Sequence, residues 1–341
     1  MTISCHCERS NLITYETMVS VIIPVYNGEK TLARCLASLR SQTVSRDMYE
    51  IIVVDDGSKD GTRRVAEGFD VTVVSQENQG PAAARNLGVK MAKGDIVLFI
   101  DADCAAVPDW IEEMTKPFSN PDIVGVKGTY KTTQKALIAR FVQLEYEEKY
   151  ERMKGFPYID FIDTYSAGFR KDIFQKYGGF NTSFPTATVE DQEFSFRLAK
   201  NGHKMLFQPD ATVYHTHQST LKGYMRRKFW IAYWKVLVLK HHPEKFTNDT
   251  HTPQILKFQI LLTYAFLLSL PISYFLFPIP YWLFPLSTLG TFFLTTIPFV
   301  VFAFNRSRYV SLISPVLFFL RAISFCAGLT IGAIKTLLLK N

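Results

Sequence analysis

The sequence predicts an α/β protein, Rossmann-like in connectivity, with a mostly parallel sheet covered by helices on both faces and transmembrane helices at the C-terminal end. From position 19 onward, short β-branched runs alternate with stretches of helical period. Those runs are apolar throughout, as strands buried on both faces are. The charge is divided as well: residues 1–221 hold 25 Lys/Arg against 29 Asp/Glu, whereas residues 222–341 hold 13 against 2. The net charge of +7 therefore belongs to the C-terminal third. With 341 residues, 48% hydrophobic and 20% charged, the chain can fill one large core or two domains, which excludes intrinsic disorder and a collagen-like repeat. No acidic residue follows Asp249, and 13 of the 28 Phe lie beyond it. That composition suits lipid rather than nucleic acid, for which bases would be dense and Phe sparse.

Residues 1–18 form a polar extension without an apolar segment, so no cleavable secretory signal is expected and the soluble part is expected to face the cytoplasm. Cysteines at 5, 7, 35, 104 and 326 are too few and too unevenly spaced for a disulfide framework. Cys5-His6-Cys7 lacks a matching second pair and reads as an ordinary terminus. Strands are expected at VSVIIPV (19–25), IIVV (51–54), VTVV (71–74), IVLFI (96–100) and IVGV (123–126). Leu32, Leu36 and Leu39 mark a helix after the first strand, and Pro81 opens another before the fourth. Residues 135–153 place Leu137, Phe141 and Leu144 at helical spacing.

The segment 221–242 mixes bases and aromatics. It reads as an interfacial helix with Tyr224, Trp230, Tyr233 and Trp234 at headgroup depth and Arg226, Arg227 and Lys228 on anionic lipid; a helix packed on the domain is the alternative. Two uncharged stretches, 258–277 and 281–304, each reach the ~20 residues a bilayer crossing needs. Pro278-Ile279-Pro280 turns between them, and Lys257, Arg306 and Arg308 put the flanks of this hairpin in the cytosol. A third stretch, 310–339, contains Arg321, Lys335 and Gly328-x-x-x-Gly332, which permits close helix contact; two or three membrane helices are thus expected within 255–341.

Chemistry concentrates at strand ends. Asp101-Ala102-Asp103 follows IVLFI at the carboxyl end of a parallel strand, where ligands of open α/β sheets bind, and two such carboxylates suit Mg²⁺ or Mn²⁺ bridging a diphosphate. Asp55-Asp56-Gly57-Ser58 ends the second strand in the same way, with Asp56 the candidate for a nucleobase or ribose and Ser58 and Asp60 read as helix caps. His215 and His217 lie on one side of an extended segment, where His215 is a candidate to complete a metal shell.

VSVIIPVYNGEKTLARCLASLRSQT, EIIVVDDGSKDGT and NQGPAAARNLGVKMAKGDIVLFIDADC, in this order and spacing, resemble the nucleotide-binding half of family 2 glycosyltransferases. The resemblance spans about residues 19–217. It implies a GT-A fold over 19–220, with a nucleotide-binding half (19–130) and an acceptor half (131–220), followed by the basic-aromatic helix (221–250). It further implies a nucleotide-diphosphate-sugar donor, a divalent metal and inversion at the anomeric carbon. Carried onto this chain, Pro24, Tyr26 and Glu29 would line the base and ribose pocket, Asp56 would contact the base and Arg85 would lie near the nucleotide. Asp101 would face the ribose or metal, and Asp103 would ligate the metal. Asp191 in Val189-Glu190-Asp191-Gln192-Glu193 resembles the family's acceptor-site acid and would act as base, with Glu190 in reserve; the same acids also suit a helix N-terminus.

Small residues at 166–168 would let an acceptor approach the donor. Arg226, Arg227, Lys228 and Trp230 resemble the basic-aromatic motif that follows the acceptor site in some members, with Phe229 departing from it. The expected partners are a nucleotide-sugar, a lipid-linked or glycan acceptor and membrane lipid, without nucleic acid. A processive polysaccharide synthase would need more spans for a channel, and a nucleotidyltransferase would need a Gly-rich loop after the first strand, where Pro24-Val25-Tyr26-Asn27-Gly28 stands. A relic scaffold would be expected to lack one of the four acids at 56, 101, 103 and 191, all of which are present.

Overall fold

A computed structural model describes residues 18–184, 189–247, 249–250, 252–276 and 283–338. Cys5-His6-Cys7 and Pro278-Ile279-Pro280 lie outside the described residues. Among the described residues eight strands form one sheet: β1 (Val19–Val25), β2 (Tyr49–Asp55), β3 (Thr72–Ser75), β4 (Ile96–Ile100), β5 (Ala105–Ala106), β6 (Ile123–Lys131), β7 (Ser166–Arg170) and β8 (Lys204–Tyr214). Their order is β3-β2-β1-β4-β7-β6-β8-β5. The first four are parallel, as expected. Beyond β4 the sheet is mixed, because β7 runs antiparallel to both β4 and β6 while β8 lies parallel to β6. The continuous burial of β1, β2 and β4 reflects helices on both faces: α1 (Leu32–Arg40), α2 (Thr62–Glu67) and α4 (Trp110–Thr115) on one, α3 (Pro81–Met91) and α7 (Glu190–Lys200) on the other.

Leu32, Leu36 and Leu39 line the buried face of α1 together with Cys35. On α3, Gly88 lets the helix press on the sheet, since a Cβ there would stand 2.4 Å from Ile22 Cγ2. Ala167 and Gly168 are buried in β7, and a Cβ at 168 would fall 2.8 Å from Leu98 Cδ2, so these small residues serve sheet packing and do not open a way for an acceptor.

The second half adds α5 (Leu137–Met153), α6 (Lys171–Lys176) and α8 (Leu221–His241). Three helical stretches that are long and apolar enough to cross a membrane follow: α9 (Gln254–Leu276), α10 (Leu283–Leu294) continued by α11 (Ile297–Phe304), and α12 (Arg308–Leu338). The α10–α11 stretch breaks at Thr295-Thr296, whose hydroxyls donate to the carbonyls of Phe292 and Phe293, just before Pro298. In the most apolar part of each stretch, α9 is 17% and α10–α11 22% buried, against 50% for α12.

α12 is covered by α8 together with α9 and α11, which favours the alternative for 221–242, a helix packed on the protein. Tyr224 and Tyr233 are buried inside the protein, while Arg226, Arg227 and Trp230 stay exposed. The glycine pair explains the change. A Cβ on Gly328 would lie 2.3 Å from the Phe229 carbonyl, and one on Gly332 2.5 Å from the Tyr233 carbonyl, so the bare glycines let the two backbones touch.

Candidate active site

The loops after β1 and β2 meet at the carboxyl edge of the sheet and are tied by hydrogen bonds. Asn27 N donates to Ser58 Oγ at 2.8 Å, Lys59 N to Asn27 Oδ1 at 2.8 Å, and Gly28 N to Thr62 Oγ1 at 2.8 Å. Asn27 accepts a positive φ of 51° to make this turn. Asp60 holds the start of α2 by accepting from Thr62 N at 3.0 Å, as expected of a cap, whereas Ser58 serves the inter-loop tie instead. Tyr26 is exposed on this rim, Pro24 sits at the end of β1, and Glu29 pairs with Arg64 at 3.1 Å.

Asp56 is buried. Its carboxylate accepts from Gln76 Nε2 (2.6 Å), Gln79 N (2.9 Å) and Gly80 N (2.9 Å), and so shapes the loop that leads into α3. Gly80 makes that loop possible with φ of 90°.

Helix α3 presents Arg85, which is 2% exposed and bridges two distant acids. One guanidinium limb donates to Asp101 at 2.9 Å and the other to Glu190 at 2.9 Å. Residues 101 and 190 thus meet across 89 positions of chain, and Asp191, beside Glu190, lies within the field of the same guanidinium. Asp191 is held by Gln192 N at 2.8 Å and Thr164 N at 3.4 Å. Burial, with the nearby charges of Glu190 and Asp163, pushes its carboxyl well above the usual carboxylate range, and Arg85 opposes that shift.

Asp103 and His215 meet on the other side of Asp101. Asp103 Oδ2 lies 3.5 Å from His215 Nε2, and His215 Nδ1 is buried without a partner. With Cys104 they form a group of potential ligand atoms within 4.8 Å of one another. Burial raises the Asp103 carboxyl, a shift moderated by His215, and burial lowers the His215 imidazole, so the neutral, ligating form of the ring is favoured. His217 points elsewhere, with Nε2 2.9 Å from Gln143 Oε1, and burial lowers it to about 3.

One group of residues at this site escapes sequence reading, and a second is named there only as part of the basic-aromatic motif. Lys127, Lys149, Asp163 and Tyr165 make a buried network behind Asp191: Lys127 Nζ bonds Asp163, Lys149 Nζ reaches Asp163 at 3.2 Å, and Tyr165 OH donates to Asp163 at 3.0 Å. Burial lowers Lys149 to about 7, against the pull of Asp163. The only hint of this network was a lysine ending the apolar run at 123–126. The second is Arg227 on α8, exposed, with its charge acting on Asp103, His215 and His217.

The glycosyl transferase family 2 model matches residues 20–178. A glycosyltransferase, AglE, of Haloferax volcanii is 30% identical over 211 residues, 58% of this chain and 66% of that protein. The glucosyl-dolichyl phosphate glucuronosyltransferase of the same organism is 28% identical over 253 residues, 66% of this chain and 79% of its own length. The chain spans about half the length of several other curated relatives it matches. Among solved structures, a mannosyltransferase of Pyrobaculum calidifontis, in complex with GDP-Man and Mn²⁺, superposes with a TM-score of 0.57 at 20% identity, covering 92% of this chain and 88% of that one. By its family match and its fold, the chain belongs to the family 2 glycosyltransferases of the GT-A fold.

Proposed function

We propose that this protein is a membrane-anchored, metal-dependent inverting glycosyltransferase that moves one sugar from a nucleotide-diphosphate-sugar to a lipid-linked or glycan acceptor at the cytoplasmic face. In this reading residues 19–220 are the catalytic unit, and 221–250 and 255–341 its anchor. The observation that carries it is Arg85, which ties the Asp101–Asp103 loop to the Glu190-Asp191 motif and so supports reading a leaving-group site and a base at one mouth.

The donor set fits a divalent ion such as Mn²⁺ or Mg²⁺: carboxylates with a neutral imidazole whose remaining nitrogen is a buried orphan. Asp103 and His215, with Asp101, would hold it, and when bound it would neutralise the diphosphate leaving group. The rest is done by the chain's own groups. Pro24, Tyr26 and Glu29 border the place of the base and ribose, and Asp56 keeps the loop at 76–80 in shape beside it. Arg85 fixes Asp101 against Glu190. Arg227 adds positive charge on the side of Asp103 and His215. Asp191 takes the proton of the acceptor hydroxyl, and its raised pKa brings it nearer the basicity this needs at neutral pH.

The acceptor class rests on the anchor, since a site tethered to the membrane meets lipid-linked glycans at high local concentration. One relative, a glucosyl-dolichyl phosphate glucuronosyltransferase, is consistent with it. Lys257, Arg306 and Arg308 at the ends of the apolar helices favour the cytoplasmic face.

The test is release of UDP or GDP from a panel of nucleotide-sugars by the purified protein with and without Mn²⁺. Metal-dependent release, lost in Asp103→Ala, is expected. Full activity in that variant, or no turnover of any donor in the presence of membrane lipid extract, would sink the reading.

A further inference from the structure

Glu145 is the meeting point of three helices. It lies on α5 with its side chain 11% exposed, and receives Tyr224 OH at 3.1 Å and Lys228 Nζ at 3.2 Å from α8, and Arg321 Nη1 at 2.7 Å from α12. Arg321 extends the chain of contacts: Nη2 donates to Gln259 Oε1 on α9 at 2.8 Å, and Gln259 Nε2 donates to Thr295 Oγ1 at 2.9 Å. One acid therefore links the transferase unit to each of the apolar helical stretches. Its surroundings are otherwise hydrophobic, with Phe141, Phe299 and Phe318 packed edge to face alongside.

A carboxylate there is costly unless its cations are in place. Burial alone would raise Glu145, yet Lys228 and Arg321 hold it below the ordinary glutamate range. Removing the acid strands two cations, and removing either arm leaves it a single cation and fewer hydrogen bonds, so the cluster has one low-energy arrangement and acts as a register mark between helices.

That register matters because of what lies next to Lys228. Arg227 is its neighbour on α8, and the α8 backbone from 229 to 233 is pressed onto Gly328 and Gly332. The glycine seam sets how close α8 comes to α12, but a smooth seam allows sliding and rotation. The Glu145 cluster removes that freedom: turning α8 by one residue, about 100°, would carry Lys228 away from Glu145 and Arg227 away from Asp103 together.

We infer that Glu145 and Arg321 are positioning residues for the donor site, fixing α8 and with it Arg227, the neighbour of Lys228. The inference deepens the proposed function and rests on it for what Arg227 meets there, a diphosphate. It makes donor binding depend on an arginine in the C-terminal apolar helix, in a part of the chain that carries no metal ligand or base.

The experiment uses the full chain in nanodiscs and two readouts. The first is amide hydrogen exchange across 221–233, which does not depend on any donor. The second is the affinity for UDP and for GDP with Mn²⁺, measured by calorimetry. Glu145→Gln and Arg321→Gln are expected to speed exchange in α8 by about tenfold or more and to weaken the nucleotide that binds by about 2- to 30-fold. Arg321→Lys, which keeps the charge, should recover much of both.

Arg227→Gln is the direct control. It should weaken the nucleotide without altering exchange. Unchanged exchange in α8 for both Gln variants overturns the inference, and so does faster exchange with unaltered affinity while Arg227→Gln weakens binding. If Arg227→Gln leaves affinity intact, or neither nucleotide binds the unaltered protein, the assignment of Arg227 within the proposed function fails. The exchange result then decides the clamp alone.

Discussion

The two halves of the transferase unit are built from different materials. Around β1, β2 and β4 the core is Val, Ile and Leu, and the loops above it are joined by neutral hydrogen bonds such as Asn27 to Ser58. The first half does bury Asp56 and Arg85, but the acids of the second half are each held by a buried or part-buried base: Asp163 by Lys127 and Lys149, Glu190 by Arg85 of α3, and Glu145 by Lys228 and Arg321. An apolar core tolerates small errors of fit, whereas a buried ion loses several kcal/mol if its partner is missing. The first half is thus a scaffold that many sequences can make. In the second, the position of each acid depends on particular partners.

Removing the proposed base should have the largest effect. Asp191→Asn is expected to slow turnover by about 10²- to 10⁴-fold while leaving nucleotide affinity close to that of the unaltered protein, measured as nucleotide release against calorimetric binding. The same group sets the pH profile. Because its pKa is raised and the base works only when deprotonated, kcat should fall on the acid side at a pH above the ordinary carboxylate range, and Asp191→Asn should remove that limb.

Next comes Asp163→Asn, which strands two buried lysines. A loss of about 3–5 kcal/mol is expected, read as a drop in thermal midpoint, and a drop no larger than that of a surface change would erase the contrast between the halves.

Gly332→Leu should cost about 1–3 kcal/mol by overpacking the seam and should raise the protease sensitivity of α8, with unchanged digestion counting against the seam. The smallest change belongs to the first half: Ser58→Ala removes one exposed neutral hydrogen bond and should cost about 0.5–1.5 kcal/mol in chemical denaturation. A larger effect there than at Asp163 would invert the comparison.

The same division governed what could be read from the sequence. In the first half, VSVIIPV, IIVV and IVLFI announced strands because apolar β-branched runs have one economical fate, and Asp101, Asp103 and Asp56 were found because they sit where such strands end. β3 was placed within one residue. The antiparallel insertion of β7 was missed, since Ser166–Arg170 is small and mixed and its partners are distant in the chain. Ion pairs such as Arg85 with Glu190, 105 residues apart, leave no local pattern at all. Arg85 was expected beside the nucleotide, and the structure gives it two carboxylates. Segment 221–242 was placed among lipid headgroups because its bases and aromatics suit them, and only the fold reveals that Gly328 and Gly332 take up its backbone.

The order of α5, α8 and α12 along the chain also bears on synthesis. While the ribosome is still making residues beyond 308, Glu145 already stands on a finished α5 with Lys228 and Tyr224 to meet it, but the groove along α8 that receives the two glycines is bare. A nascent chain halted before that point would hold every acid and histidine named at the active mouth and yet lack the last arm that keeps Arg227 turned toward it. Assembly of the clamp would then wait until Arg321, Gly328 and Gly332 have been made.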